Sequence, residues 1–330
     1  MRLIAAVVFA LLVVVAPMRA EQNVTVDTMV GEWTDSARSG RVVPYKLYMP
    51  TNAPGARPIV IFSHGLGGNR DGAEYLLRHL AENGYAAIAV QHPGSDTPAV
   101  FGQLQAEDFA NLDRAAVRDK LRDSLSPQTA ADRFRDIPFA IDQLERMNAG
   151  DARLRGRLDL SRVGMSGHSY GAITTLALAG QSFLGGRMSF ADQRIKAAIA
   201  YSPSKPRRGD PAEAFAQMRV PTFHRTGTDD KNPFDQSEPA TTRQEPYRAI
   251  ATTDKYLIVF AGGDHMIFSG RSFRGGPRPN DPKFHALIQK ASLAYWDAYL
   301  MGNADAKAYL TGGRFAQDLG ADGTFEFQLR

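Results

Sequence analysis

The sequence predicts an α/β protein with a mostly parallel central sheet flanked by helices. Two observations predict it. Ile59–Ser63 (IVIFS) and Tyr85–Val90 (YAAIAV) are short apolar runs without polar alternation, the pattern of strands buried on both faces. Between them, Gly72–Asn83 sets Tyr75, Leu76, Leu77 and Leu80 at helical spacing, and the same succession of run and helix resumes further along the chain.

In chain order, Arg2 precedes an apolar run from Leu3 to Ala16, followed by Pro17, Met18, Arg19 and Ala20, so residues 1–20 read as a signal peptide. The run falls short of the roughly 20 apolar residues of a membrane-spanning helix. No integral membrane segment is therefore expected after its removal, and a secreted or periplasmic product is. Met18 is bulky for a small-residue site, which leaves the cleavage point open. Residues 21–330 are expected as a single domain, since a chain of 330 residues that is 43% hydrophobic can bury a large core. Val42–Met49 alternates like an early strand, and Pro50–Pro58 reads as a loop. Residues 98–127, including DFANLDRAAVRDKLRDSL, predict a helical insertion over the active-site face, either a lid or a solvated surface helix. Further strands are expected at Arg162–Ser166, Ile195–Tyr201, Val220–Thr226 and Lys255–Ala261, while Thr311–Arg330 is Gly-rich and suggests no element.

Composition narrows the chemistry. Lys and Arg total 39 against 35 Asp and Glu, a net charge of +4 spread along the chain, which argues against nucleic acid as a partner. The absence of cysteine excludes disulfides, a thiolate metal site and a cysteine nucleophile.

The most informative segment is Gly167-His168-Ser169-Tyr170-Gly171, a G-x-S-x-G match between an apolar strand and a helix of small apolar residues, AITTLALA. Small residues on either side allow a strained strand-to-helix turn that projects Ser169 above the sheet. A serine nucleophile needs a base, and the base an orienting acid; both follow in the order Ser, Asp, His. FHRTGTDD runs off a strand into a loop at Asp229 and Asp230, with Asp230 favoured as the acid and Asp229 its competitor. Lys255–Gly263 leads likewise to Asp264 and His265, where His265 is the candidate base and Asp264 reads as a turn former. Ser63-His64-Gly65-Leu66-Gly67-Gly68 follows the Ile59–Phe62 strand, and its glycines let backbone amides face a developing oxyanion. The expected donors are the amides of Leu66 and Tyr170. His64 reads as a brace or pocket residue and His92 as a pocket residue, while His168 braces the turn and His79 and His285 are surface or packing residues. The basic loop Tyr201–Asp210 (YSPSKPRRGD) reads as solvated or as a site for an anionic acid or head group. Tyr295 and Trp296 stand at core spacing on the last long helix.

Taken together, SHGLGG, QHPGSD, GHSYG, TGTDD and GDHM, in register from about Val42 to Leu300, resemble the dienelactone-hydrolase-like and platelet-activating-factor-acetylhydrolase-like bacterial branch of the α/β hydrolases. The resemblance implies the α/β-hydrolase fold, hydrolysis of a carboxylic ester, no metal or other cofactor, and catalytic roles for Ser169, Asp230 and His265. Dienelactone hydrolases proper use cysteine where Ser169 stands, which puts their substrate in doubt here; polyester-cleaving cutinases look more distant. A small-molecule or lipid-like ester is the expected substrate. The competing readings are a peptidase or amidase of the same fold and a non-catalytic binding protein.

Overall fold

The computed structural model describes residues 24–52, 54–102, 124–232, 235, 237–270 and 278–330. The expected leader and all but the two ends of the expected insertion lie outside them. The strands of the main sheet are β1 (Val26–Asp35), β2 (Arg41–Pro50), β3 (Arg57–Ser63), β4 (Ala86–Val90), β5 (Leu158–His168), β6 (Ile195–Tyr201), β7 (Thr222–Asp229), β8 (Lys255–Asp264) and β9 (Gly323–Gln328). They lie in the order β1-β2-β4-β3-β5-β6-β7-β8-β9. The inner strands from β4 across to β8 pair in parallel. β1 and β2 add antiparallel pairing at one edge, and β9 at the other.

Two-sided burial explains the unalternated apolar runs. Val60, Phe62, Ala87 and Ala89 pack on one face with α1 (Glu74–Glu82) and a later helix that carries Phe284, Ile288 and Trp296. Ile59, Ile61 and Ile88 point the other way, against Phe134, Ile137 and Ile141. Both faces of each strand therefore need apolar side chains. The helices that follow α1 are α2 (Thr97–Phe101), α3 (Pro127–Gly150), α4 (Tyr170–Ala179), α5 (Asp281–Leu300), α6 (Ala304–Thr311) and α7 (Arg314–Leu319), besides single turns. α3 starts at Ser126, whose side chain accepts the Thr129 amide, with Pro127 in the first turn. α4 is buried nearly all round, which is why its sequence carries no polar stripe.

Two elements depart from the expectation. β1 was not anticipated; it is an edge strand whose inward side chains include Met29 and Trp33, with Trp33 stacked on Tyr45 of β2 at 4.0 Å. The Gly-rich tail is also ordered, as α7 and β9, because Phe325 packs against Phe223, Tyr256 and Phe315. Among the described residues, no helix is long and apolar enough to cross a membrane.

Trp296 and Tyr295 are fully buried, as their spacing suggests. Trp296→Ala should destabilise the protein by about 3 kcal/mol, the lower end for such a truncation, because its buried indole N–H has no acceptor among the described residues. Urea unfolding should show a lower midpoint at unchanged slope; a wild-type midpoint would remove Trp296 from the core's energetics.

Candidate active site

The strand order reverses between β3 and β5, where an open α/β sheet forms a crevice beyond its carboxyl ends. β5 ends at His168 and α4 begins at Tyr170, leaving Ser169 between them at φ 57° and ψ −112°. A side chain at positive φ costs about 1–3 kcal/mol. The turn is held by the Ser169 amide, which donates to the Tyr201 carbonyl of β6 at 2.9 Å. Its glycines are required by contact. A Cβ on Gly171 would lie 1.9 Å from the Ser63 carbonyl oxygen, and one on Gly167 would lie 2.3 Å from that of Gly171.

Three strand ends deliver the polar groups. Ser169 Oγ lies 3.0 Å from His265 Nε2, and His265 Nδ1 lies 2.7 Å from Asp230 Oδ1. A carboxylate only accepts, so His265 donates from Nδ1, leaving Nε2 as acceptor for the serine hydroxyl. Asp230 is fully buried, whereas its competitor Asp229 is exposed. Burial alone would raise the Asp230 carboxyl, but His265, Arg243 and Ser202 outweigh it and hold it at about 2. Its second oxygen accepts from the hydroxyls of Ser202 and, at 2.8 Å, Thr226. Arg243 lies 3.5 Å from its first oxygen. Sequence reasoning passed over Ser202 and Arg243, because neither stands in a motif; only the fold brings them to the carboxylate.

Leu66 and Tyr170 both line the cleft beside Ser169. Gly68 N–H donates to the Gly65 carbonyl at 3.0 Å, closing a turn in which Leu66 is the first central residue, and Gly67 follows at φ 73°. The amide at that first position takes no part in the turn's own bond. Tyr170 opens α4, where amides lack an intrahelical acceptor.

The histidines sort differently from one part of the expectation. His64 and His92, named as possible pocket residues, lie beneath the loop and not along the cleft. His64 Nδ1 donates to the Gly65 carbonyl at 2.7 Å and its Nε2 accepts the His92 amide at 3.0 Å. His92 lies 2.9 Å from Ser63 Oγ through Nε2 and 3.0 Å from Asp136 through Nδ1. Polar partners on both ring sides draw these rings inward. His168 Nε2 lies 2.7 Å from the His265 carbonyl, and His285 Nε2 lies 2.9 Å from the Ile267 carbonyl, so both brace the His265 loop. Asp264 accepts the Met266 amide at 2.8 Å, as a turn former does.

The cleft holds about 150 Å³. Its lining mixes apolar side chains, Leu66, Leu125, Tyr170 and Ile173, with polar ones, among them Lys205, Arg207, Glu238 and Arg243. The basic loop of residues 201–210 thus reaches the cleft instead of standing apart in solvent. Lys205 is paired with Glu238 at 3.2 Å. Among the described residues, no group of three His, Asp or Glu side chains is placed to hold a metal.

A mostly parallel sheet with a serine on a strained turn, hydrogen-bonded to a histidine and through it to a buried aspartate, defines an α/β hydrolase. The chain belongs to the platelet-activating factor acetylhydrolase, isoform II, family, whose model matches residues 15–224, more than half of it. That match includes Ser169 and ends before Asp230 and His265. The chain is 24% identical over 287 residues to the platelet-activating factor acetylhydrolase of Cavia porcellus, covering 78% of this chain and 61% of that protein. It is also similar in fold to a ferulic acid esterase from Streptomyces cinnamoneus, with a TM-score of 0.60 at 20% identity, over 88% of this chain and 93% of the other.

Buried histidines make stability depend on pH on the acid side. Burial holds His92 at about 4 and both His168 and His224 at about 3, against an ordinary 6.5. The contribution of these three histidines to stability is fully present above 6.5 and is lost as pH falls toward 4 and 3, because the unfolded chain takes up protons that the folded chain refuses. Asp136 and Asp230, held at about 2 against 3.8, add a second loss between those values. His224→Gln should make the loss between about pH 6 and 4 shallower by one proton, about 1.4 kcal/mol per pH unit. Urea titrations at several pH values measure it, and equal slopes for the two proteins would show that His224 takes up its proton in the folded state.

Proposed function

We propose that this protein is a serine hydrolase that cleaves a carboxylic ester through an acyl-enzyme, with Ser169 as nucleophile, His265 as general base and Asp230 as the acid that orients it. One observation carries the reading: the hydrogen-bonded run from Ser169 Oγ through His265 to a buried, ionised Asp230, at the head of a cleft flanked by Leu66 and Tyr170. Family membership and the name of the guinea-pig relative support the ester as the bond cleaved.

In this mechanism His265 Nε2 takes the hydroxyl proton as Ser169 Oγ attacks the ester carbonyl. The tetrahedral oxyanion is received by the Leu66 and Tyr170 amides. His265 returns the proton to the leaving alcohol, then activates the water that releases the acid and regenerates Ser169. Asp230 remains ionised throughout, because its carboxyl titrates near 2, and it stabilises the imidazolium that forms. The apolar lining suits an acyl or alkyl group of modest size, and Lys205 and Arg207 in the same cleft suit a polar portion of the ester. Residues 21–330 act in this reading as one domain, exported after removal of the leader at 1–20.

Ser169→Ala should lower turnover of p-nitrophenyl acetate by roughly four to six orders of magnitude. An alkyl fluorophosphonate should leave one adduct, on Ser169, seen by mass spectrometry in the wild type and lost in His265→Ala. Near-normal turnover by Ser169→Ala would overturn the assignment. A Gly171→Ala protein should fail to form the adduct even where it folds, since the new methyl displaces the β3 carbonyl beneath the serine turn.

A further inference from the structure

We infer that Arg133, on α3 and outside the Ser169–His265–Asp230 set, is the positioning residue of the oxyanion hole. The inference rests on the reading of Leu66 and Tyr170 as oxyanion donors. Those two amides come from separate segments, the loop after β3 and the start of α4, which meet where Gly171 packs on the Ser63 carbonyl. Arg133 touches both. Its Nη2 donates to the His64 carbonyl, where the loop leaves β3, at 2.5 Å, and to Ser63 Oγ at 2.9 Å. Its Nε donates to Thr174 Oγ1 at 3.3 Å, and that hydroxyl donates in turn to the Tyr170 carbonyl at 3.1 Å. The guanidinium carbon lies 4.4 Å from the centre of the Tyr170 ring.

A third strand end is gathered in as well. Nη1 donates to Ser95 Oγ at 2.7 Å, and the Ser95 carbonyl accepts the Gly67 amide, next to Leu66, at 2.9 Å. The side chain that does this is fully buried and does not line the cleft, so it acts on the reaction only through the segments it holds. A planar fork of five donors can reach three segments at once, whereas the point charge of a lysine cannot.

Among the described residues Arg133 makes no direct ion pair, and burial lowers it to about 10. Ser63 Oγ accepts from Arg133 and lies against His92, which reaches Asp136. Asp136 also accepts from Arg38 at 2.7 Å and from Arg41 at 2.8 Å. Removing Arg133 therefore leaves no carboxylate without a cation, and Arg133→Met is the variant to make, with Arg133→Lys beside it.

Each variant is compared with wild type by thermal melting, by kcat and KM on p-nitrophenyl acetate, and by Ki for an alkyl trifluoromethyl ketone, which forms a tetrahedral adduct. Arg133→Met should lose about 10²–10³-fold in kcat with KM within about threefold, and the ketone should weaken in step with kcat. Arg133→Lys should lose less. A folded Arg133→Met with kcat within about threefold of wild type overturns the inference, as does a kcat loss that leaves the ketone's Ki unchanged. If Arg133→Met does not fold, Arg133→Lys decides: a tenfold or greater loss in kcat at unchanged KM supports the role, by the same reasoning, and an unchanged kcat overturns it. Ser169→Ala separates the two levels. Activity surviving in that variant sinks the hydrolase reading itself; its loss, with Arg133 variants fully active, sinks the positioning role alone.

Discussion

The structure turns on a contact in which side chains take no part. The backbone of Gly171 rests on the last carbonyl of β3, closer than any Cβ would permit, and Gly167 rests on Gly171 in turn. This close approach presses the start of α4 onto the end of β3 at the place where the strand order reverses. The chain between them has nowhere to go but upward, which lifts the Ser169 side chain above the sheet. The loop after β3 must leave the same point, and so Leu66 arrives beside the serine. The strain in the Ser169 backbone is the cost of that geometry, and the amide bond to Tyr201 together with the burial of α4 offsets it.

Two buried carboxylates then divide the electrostatic work. Asp230 serves the strand ends on the β7 and β8 side, taking one histidine, two hydroxyls and a nearby arginine. Asp136 serves the β2, β3 and β4 side, where Arg38, Arg41 and His92 converge on it. Both stay ionised in the interior for the same reason, namely that enough donors surround each oxygen to outweigh the loss of water. Their histidines differ in access. His92 is sealed within the protein, whereas the His265 side chain keeps 13% of its surface exposed.

Much of this was legible in the sequence, for a physical reason. Parallel strands buried on both faces write themselves as unbroken apolar runs, and the loops that follow them hold Ser169, Asp230 and His265 at the edge of such runs. The glycines of the serine turn and of the Ser63–Gly68 loop mark places where backbones approach closely, so they too can be read locally. β1 was harder, since an edge strand buries only part of one face and its alternation is broken by Gly31 and an exposed Val30. β9 is short and earns its place through Phe325, a contact with residues some seventy to a hundred positions earlier. Ser202, Arg243 and Arg133 were out of reach altogether, because their meaning lies in what they touch and not in their neighbours along the chain. His64 braces its loop, one of the two readings its position allowed, whereas the inward turn of His92 follows the same rule: a loop histidine looks like a pocket residue until its buried partners are known.

The order of these strands along the chain also bears on how the protein is made. Ser169 and the histidine that faces it are separated by 96 residues, and β6, β7 and β8 must all be laid down between them. A chain interrupted between the start of α4 and the end of β8 carries the serine turn, the Ser63–Gly68 loop and Arg133 beneath them, but not the histidine that faces the serine. During synthesis from the amino end, Ser169 is thus translated long before its hydrogen-bond partner His265. The hydrogen bond between the two therefore forms only once the last parallel strand has docked.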